Sequence, residues 1–186
     1  MGPLTTIWIK TEETIDQFKD SNWVRRQGLL FYLIFGINAT GETDILLLLG
    51  NDSSALGTLL ILFTLLFSGL IFGMLFRVIW VNLIFYFGKI WKGQATKRNI
   101  DTVIALCLIP EIFRLLSLTT SFIAEDNLED VKINSVVTII CAFLSLRILI
   151  IGLSRVQEFS YGISILSIVV PQIGLWLVYY SIRELL

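Results

Sequence analysis

The sequence predicts an all-α integral membrane protein: a bundle of five transmembrane helices with its N-terminus cytoplasmic and its C-terminus external. Three observations predict it. The apolar residues lie in long unbroken runs, those runs hold almost no charge, and Lys and Arg alternate from side to side between them. Of 186 residues, 55% are hydrophobic and 16% charged, and the mean hydropathy is +0.81. Soluble domains carry roughly 25% charged residues, so the composition departs in the membrane direction.

Residues 1–27 read as a cytoplasmic amphipathic segment and residues 28–186 as the membrane domain. In the segment, Thr11 is positioned to cap a short helix with Glu12 and Glu13 in its first turn, and Ile15 and Phe18 share one face. It reads as a helix lying in the interface with Trp8 and Trp23 as anchors, and a solvated leader is favoured over a docking element.

A span needs about 20 mostly apolar residues. The first run, 28–39, is short for one, and snorkelling of Arg25 and Arg26 accommodates it. The second, 55–88, contains Arg77 as its sole charge. It exceeds the bilayer core and reads as one long helix whose end, with Trp80, Tyr86 and Trp91, projects into the headgroups. Runs 101–123, 133–155 and 161–182 are each about 22 residues, close to a spanning length. Pro110 and Pro171, the latter followed by Gln172, are expected to kink the third and fifth spans.

Charge placement sets the topology. Lys19, Arg25 and Arg26 precede the first run, and Lys89, Lys92, Lys97 and Arg98 fill the second loop. Arg155 opens the fourth loop, whereas loops 40–54 and 124–132 are acidic. By the positive-inside rule the N-terminus is cytoplasmic and five crossings follow.

Glu111 falls near the middle of its span, where an isolated charge costs about 2.5–3.5 kcal/mol and seeks partners. Arg114 shares its helix face, and helical rise places Arg77 and Arg147 at comparable depths. The expectation is an intramembrane polar cluster of Arg77, Glu111, Arg114 and Arg147, read first as a structural ion cluster. A headgroup site and an ion relay are the functional alternatives.

Other chemistry is sparse. The chain has no histidine, and Cys107 and Cys141 sit in apolar runs without CxxC spacing, so they read as small core hydrophobes. No nucleophile–base pair, metal cluster or phosphate-cradling loop is visible. No catalytic residue, metal or cofactor is therefore expected, and the net charge of −1 gives no footing for nucleic acid. Gly36, Gly41, Gly57, Gly69 and Gly73 read as packing or turn residues.

Three stretches carry a family resemblance: "FGKIWKGQATKRNIDTVIALCLIPEIFRLL", "LRILIIGLSRVQEFSYGISILSIVVPQ" and the leader "IWIKTEETIDQF". The first resembles a basic glycine-containing loop leading into an Ile-Pro helix, and the second a Gly-Leu turn leading into a helix with a central proline. Together they resemble the Yip1-domain family of five-helix membrane proteins, in its bacterial form. The resemblance implies the fold and topology. It also implies membrane organisation or traffic, with small GTPases as partners of eukaryotic relatives, although the short N-terminal segment here points away from a GTPase.

The expected function is accordingly a non-enzymatic, membrane-organising scaffold. The alternative is a small transporter or channel using Glu111 and the membrane arginines. Its partners would be the lipid bilayer, anionic lipid headgroups and a second copy of the chain. Its location would be the inner membrane of a bacterium or the endoplasmic reticulum and Golgi of a eukaryote.

Overall fold

The computed structural model describes residues 3–19, 22–41, 55–123 and 128–185. Among these residues the chain is helical throughout, without strands: α1 (Pro3–Thr6), α2 (Thr11–Phe18), α3 (Asn22–Gly41), α4 (Ala55–Ile90), α5 (Lys97–Cys107), α6 (Glu111–Ile123), α7 (Leu128–Gln157) and α8 (Tyr161–Leu185).

The tightest pairing joins α3 to α4. A Cβ on Gly36 would run into the carbonyl of Gly69, and one on Gly73 into the carbonyl of Tyr32. The two backbones therefore touch, the geometry that small residues four apart permit between membrane helices. Helix α3 is 20 residues long, although only residues 27–40 of it are apolar. Helix α4 runs unbroken for 36 residues, about 54 Å, as the sequence suggests for a proline-free run.

The third expected span departs from expectation. Residues 101–123 do not form one kinked helix. The chain breaks at residues 108–110 into α5 and α6, of 11 and 13 residues. Pro110 has no N–H and its ring opposes the carbonyl four residues back, so the α-helical ladder stops there. Short-range bonds replace it, from Ile109 N–H to the Leu106 carbonyl (3.2 Å) and from Glu111 N–H to the Leu108 carbonyl (3.0 Å). The break is sheltered, since residues 102–111 are all buried. Irregular backbone in an apolar setting is tolerated where protein surrounds it. Pro171, by contrast, leaves α8 continuous to Leu185.

Two matching turns fasten one end of the bundle. Helix α4 closes with Gly93 N–H on the Gly88 carbonyl (2.9 Å) and Lys92 N–H on the Lys89 carbonyl (3.0 Å). Helix α7 closes with Phe159 N–H on the Ser154 carbonyl (3.0 Å). Both are Schellman-type ends, with Lys92 and Glu158 at φ 62 and 59° in the left-handed position. The turns interlock: the Gln157 side chain fills the space that a Cβ on Gly88 or Gly93 would need. Gln94 N–H also donates to the Gln157 carbonyl at 3.3 Å.

The N-terminal segment docks on the bundle and is not a solvated leader. Ile7 and Ile15 are wholly buried, and Ile15 and Val103 of α5 both pack up to Gly152 of α7. The half-buried Trp8 ring packs edge-on against Phe113 at 5.7 Å; the Trp23 side chain lies outside the described residues. Lys10, not Thr11, occupies the cap position of α2, because the Thr11 hydroxyl donates to the Ile7 carbonyl at 2.7 Å.

Arg155 holds Asp16 through two hydrogen bonds, 2.9 and 2.8 Å. That bonding lowers the Asp16 carboxyl below the usual carboxylate range. A lowered folded-state value stabilises docking at pH above the unfolded-state value, and the contribution disappears as pH falls through the folded-state one. Amide protection in α2 is expected to hold at neutral pH and to drop on acidification below the usual carboxylate range. An Asp16→Asn chain should show the acid behaviour at neutral pH, read by hydrogen exchange.

Candidate functional site

The polar groups inside the bundle form two sets at different heights, each built on α3. The lower set centres on Asp101, at the first turns of α5. Arg77 of α4 donates to it twice, at 2.9 and 2.6 Å. The Tyr32 hydroxyl donates to the same carboxylate at 2.8 Å. The Arg77 guanidinium also lies over the Tyr32 ring, 5.5 Å from its centre. Paired donors in this fork geometry fix orientation as well as charge. Replacing Asp101 with Asn is expected to cost about 2 kcal/mol in detergent unfolding, because it leaves a partly buried arginine without its counter-charge, and Tyr32→Phe about 1 kcal/mol.

The upper set centres on Glu111, the first residue of α6, where a carboxylate also complements the helix dipole. Asn38 of α3 donates its amide to the Glu111 carboxylate (2.8 Å) and to its carbonyl (3.0 Å). Two acceptors on one side assign the Asn38 NH₂ to that side. Arg114 reaches the same carboxylate oxygen at 3.4 Å. Thus one side chain of α3 bonds both the carbonyl and the carboxylate of the residue that starts α6 after the break at Pro110.

The expected four-residue cluster is therefore divided. Glu111 and Arg114 are together. Arg77 belongs to Asp101, because its face of α4 turns toward the start of α5. Arg147 is exposed on α7 and donates to the Trp8 carbonyl at 3.2 Å. Gln172, near the middle of α8, lies exposed beside the Glu111 cavity described below. Asn38, Tyr32 and Asp101 were not singled out by sequence. Asn38 ends a short apolar run and Asp101 opens a long one, so both read as boundaries.

A cavity of about 230 Å³ adjoins Glu111. Phe35, Phe76 and Trp80 line it, with Glu111, Ser145 and Gln172 as its polar groups. The Ser145 hydroxyl oxygen and the Asn38 Oδ1 are buried with no hydrogen-bond partner among the described residues. Cys107, also on the wall, is a buried free thiol.

Around these interior groups the surface is hydrocarbon. Leu59, Phe63, Phe67 and Leu75 on α4, Val136, Ile140 and Phe143 on α7, and Ile173, Trp176 and Leu177 on α8 are all exposed. Leu62–Ile90, Ser135–Gln157 and Tyr161–Ser181 are long and apolar enough to cross a membrane. Fold and site together define an all-helical membrane protein with charge pairs held inside it. No family model matches the chain, nor does any curated protein or solved structure.

Proposed function

We propose that the chain is a non-enzymatic, five-crossing membrane protein of the Yip1 type, a scaffold that organises the bilayer through helix and lipid contacts. The observation that carries this reading is the inversion of surface and interior. Large apolar side chains face outward on three long helices, while the carboxylates of Glu111 and Asp101 are held by protein partners. A soluble monomer does not expose apolar area on this scale. In this reading α3, α4, the α5–α6 pair, α7 and α8 are the crossings, with the N-terminus cytoplasmic. Lys89, Lys92, Lys97 and Arg98 at the α4–α5 turn then meet anionic headgroups.

Topology tests the reading directly. Single cysteines placed near each terminus should react with an impermeant maleimide from opposite sides of sealed vesicles. Reaction from one side would overturn five crossings.

One observation favours a second reading, transport. Broken helices with a charge at the break frame the binding sites of many transporters. Proteoliposomes separate the two. A scaffold supports no ion flux above empty vesicles, whereas transport requires flux that Glu111→Gln abolishes.

A further inference from the structure

Resting on the membrane reading, we infer that the Glu111 cavity is a binding site for a neutral, hydroxyl-bearing lipid drawn from the bilayer, its hydroxyl set among Glu111, Ser145 and Gln172.

Position argues first for where the ligand comes from. Ser145 lies twelve residues before Gln157 on α7, and Gln172 eleven after Tyr161 on α8. Both are therefore about 17–18 Å along their helices from the interlocked turns, near mid-membrane. The wall residues exposed at the rim are Leu146 and Gln172, so the mouth faces hydrocarbon and admits what dissolves there.

Chemistry argues next for what the ligand is. Gln172 makes no hydrogen bond among the described residues, yet its amide sits in an apolar surface. The Ser145 oxygen is buried without a partner. Polar groups in such surroundings cost free energy until they are bonded, and a plain hydrocarbon would leave both unbonded. Glu111 is already balanced by Arg114, so an added anion is repelled and an added cation is surplus. A hydroxyl can accept from the amide and donate to the carboxylate or to serine. Most of the remaining lining, Phe35, Phe76 and Trp80 included, is apolar. The cavity's volume of about 230 Å³ exceeds the roughly 150 Å³ that houses a benzene ring, leaving room for a ring or a short run of chain.

The test uses the full chain in phosphatidylcholine vesicles with a diazirine-bearing dodecanol as photoprobe. Labelling is expected on the α4 and α7 segments that carry Phe76, Trp80 and Leu149. Unlabelled dodecanol should compete, and dodecane and dodecanoate should not. Ser145→Ala and Gln172→Leu should each lower labelling about fivefold, one net hydrogen bond's effect. Gln172 is exposed, so its variant decides the matter if Ser145→Ala misfolds. Labelling spread evenly over the lipid-facing helices, equal labelling by the alkane analogue, or no change in Gln172→Leu would overturn the site. So would a Gln172→Cys crosslink between copies that forms in place of labelling, which assigns the amide to a dimer seam. Release of the chain by carbonate extraction would instead sink the membrane reading itself, before any labelling.

Discussion

Replacing Gly36 with valine is expected to destabilise the protein by about 3 kcal/mol or more, enough to separate α3 from α4. At this crossing the obstacle is backbone, namely the Gly69 carbonyl and the Gly73 amide. Overpacking against side chains costs about 1–3 kcal/mol because rotamers yield, but a peptide group in a helix cannot swing aside. Unfolding in detergent, monitored by circular dichroism, should show the loss. Gly174→Ala is the control: nothing lies within 4 Å of its added Cβ, so it should be neutral or slightly stabilising through helix propensity. Equal effects from the two substitutions would show that close approach is not what holds the pair.

Glu111→Ala should cost about 3–5 kcal/mol, the usual penalty for breaking a buried pair by removing one partner. It leaves the buried amide of Asn38 without its carboxylate and removes the balancing charge from Arg114, whose side chain is 16% exposed. Glu111→Gln retains an acceptor for Asn38 and should lie between Ala and wild type. In a double-mutant cycle with Arg114→Met, the coupling should be about 1–3 kcal/mol. A loss below about 1 kcal/mol for Glu111→Ala would mean that water or lipid satisfies those groups as well as the carboxylate does.

The helices at 55–88, 133–155 and 161–182 were legible because a long apolar run with almost no charge has few other solutions. The break at 108–110 was not. Pro110 and Pro171 look alike locally, each mid-run and followed by a polar residue, yet one splits its helix and the other does not. Asn38 sits 73 positions upstream of Glu111, and no local pattern reports that it bonds the start of α6. The charge partners failed for a related reason. Counting residues gives a position along a helix, but it carries no direction around the axis. The Arg77 face of α4 points at Asp101, which the sequence presents as a loop boundary. The docked leader was half legible: Ile15 and Phe18 marked an apolar face, but nothing local assigned that face, or Ile7 before it, to the bundle.

In the proposed five-crossing reading, the bonding of α6 to Asn38 also dictates an order of assembly. Synthesis runs from the N-terminus, so α3 and α4 leave the ribosome before the broken pair. At 11 and 13 residues, neither α5 nor α6 is long enough to partition into lipid unaided, and Glu111 makes entry costlier still. The glycine-fastened α3–α4 hairpin is then already in place, presenting Tyr32 and Asn38 as a template for the next segment. If residues 97–123 cross as that reading proposes, their membrane entry is chaperoned from within the chain, and a defect at Gly36 would surface first as a failure of biogenesis.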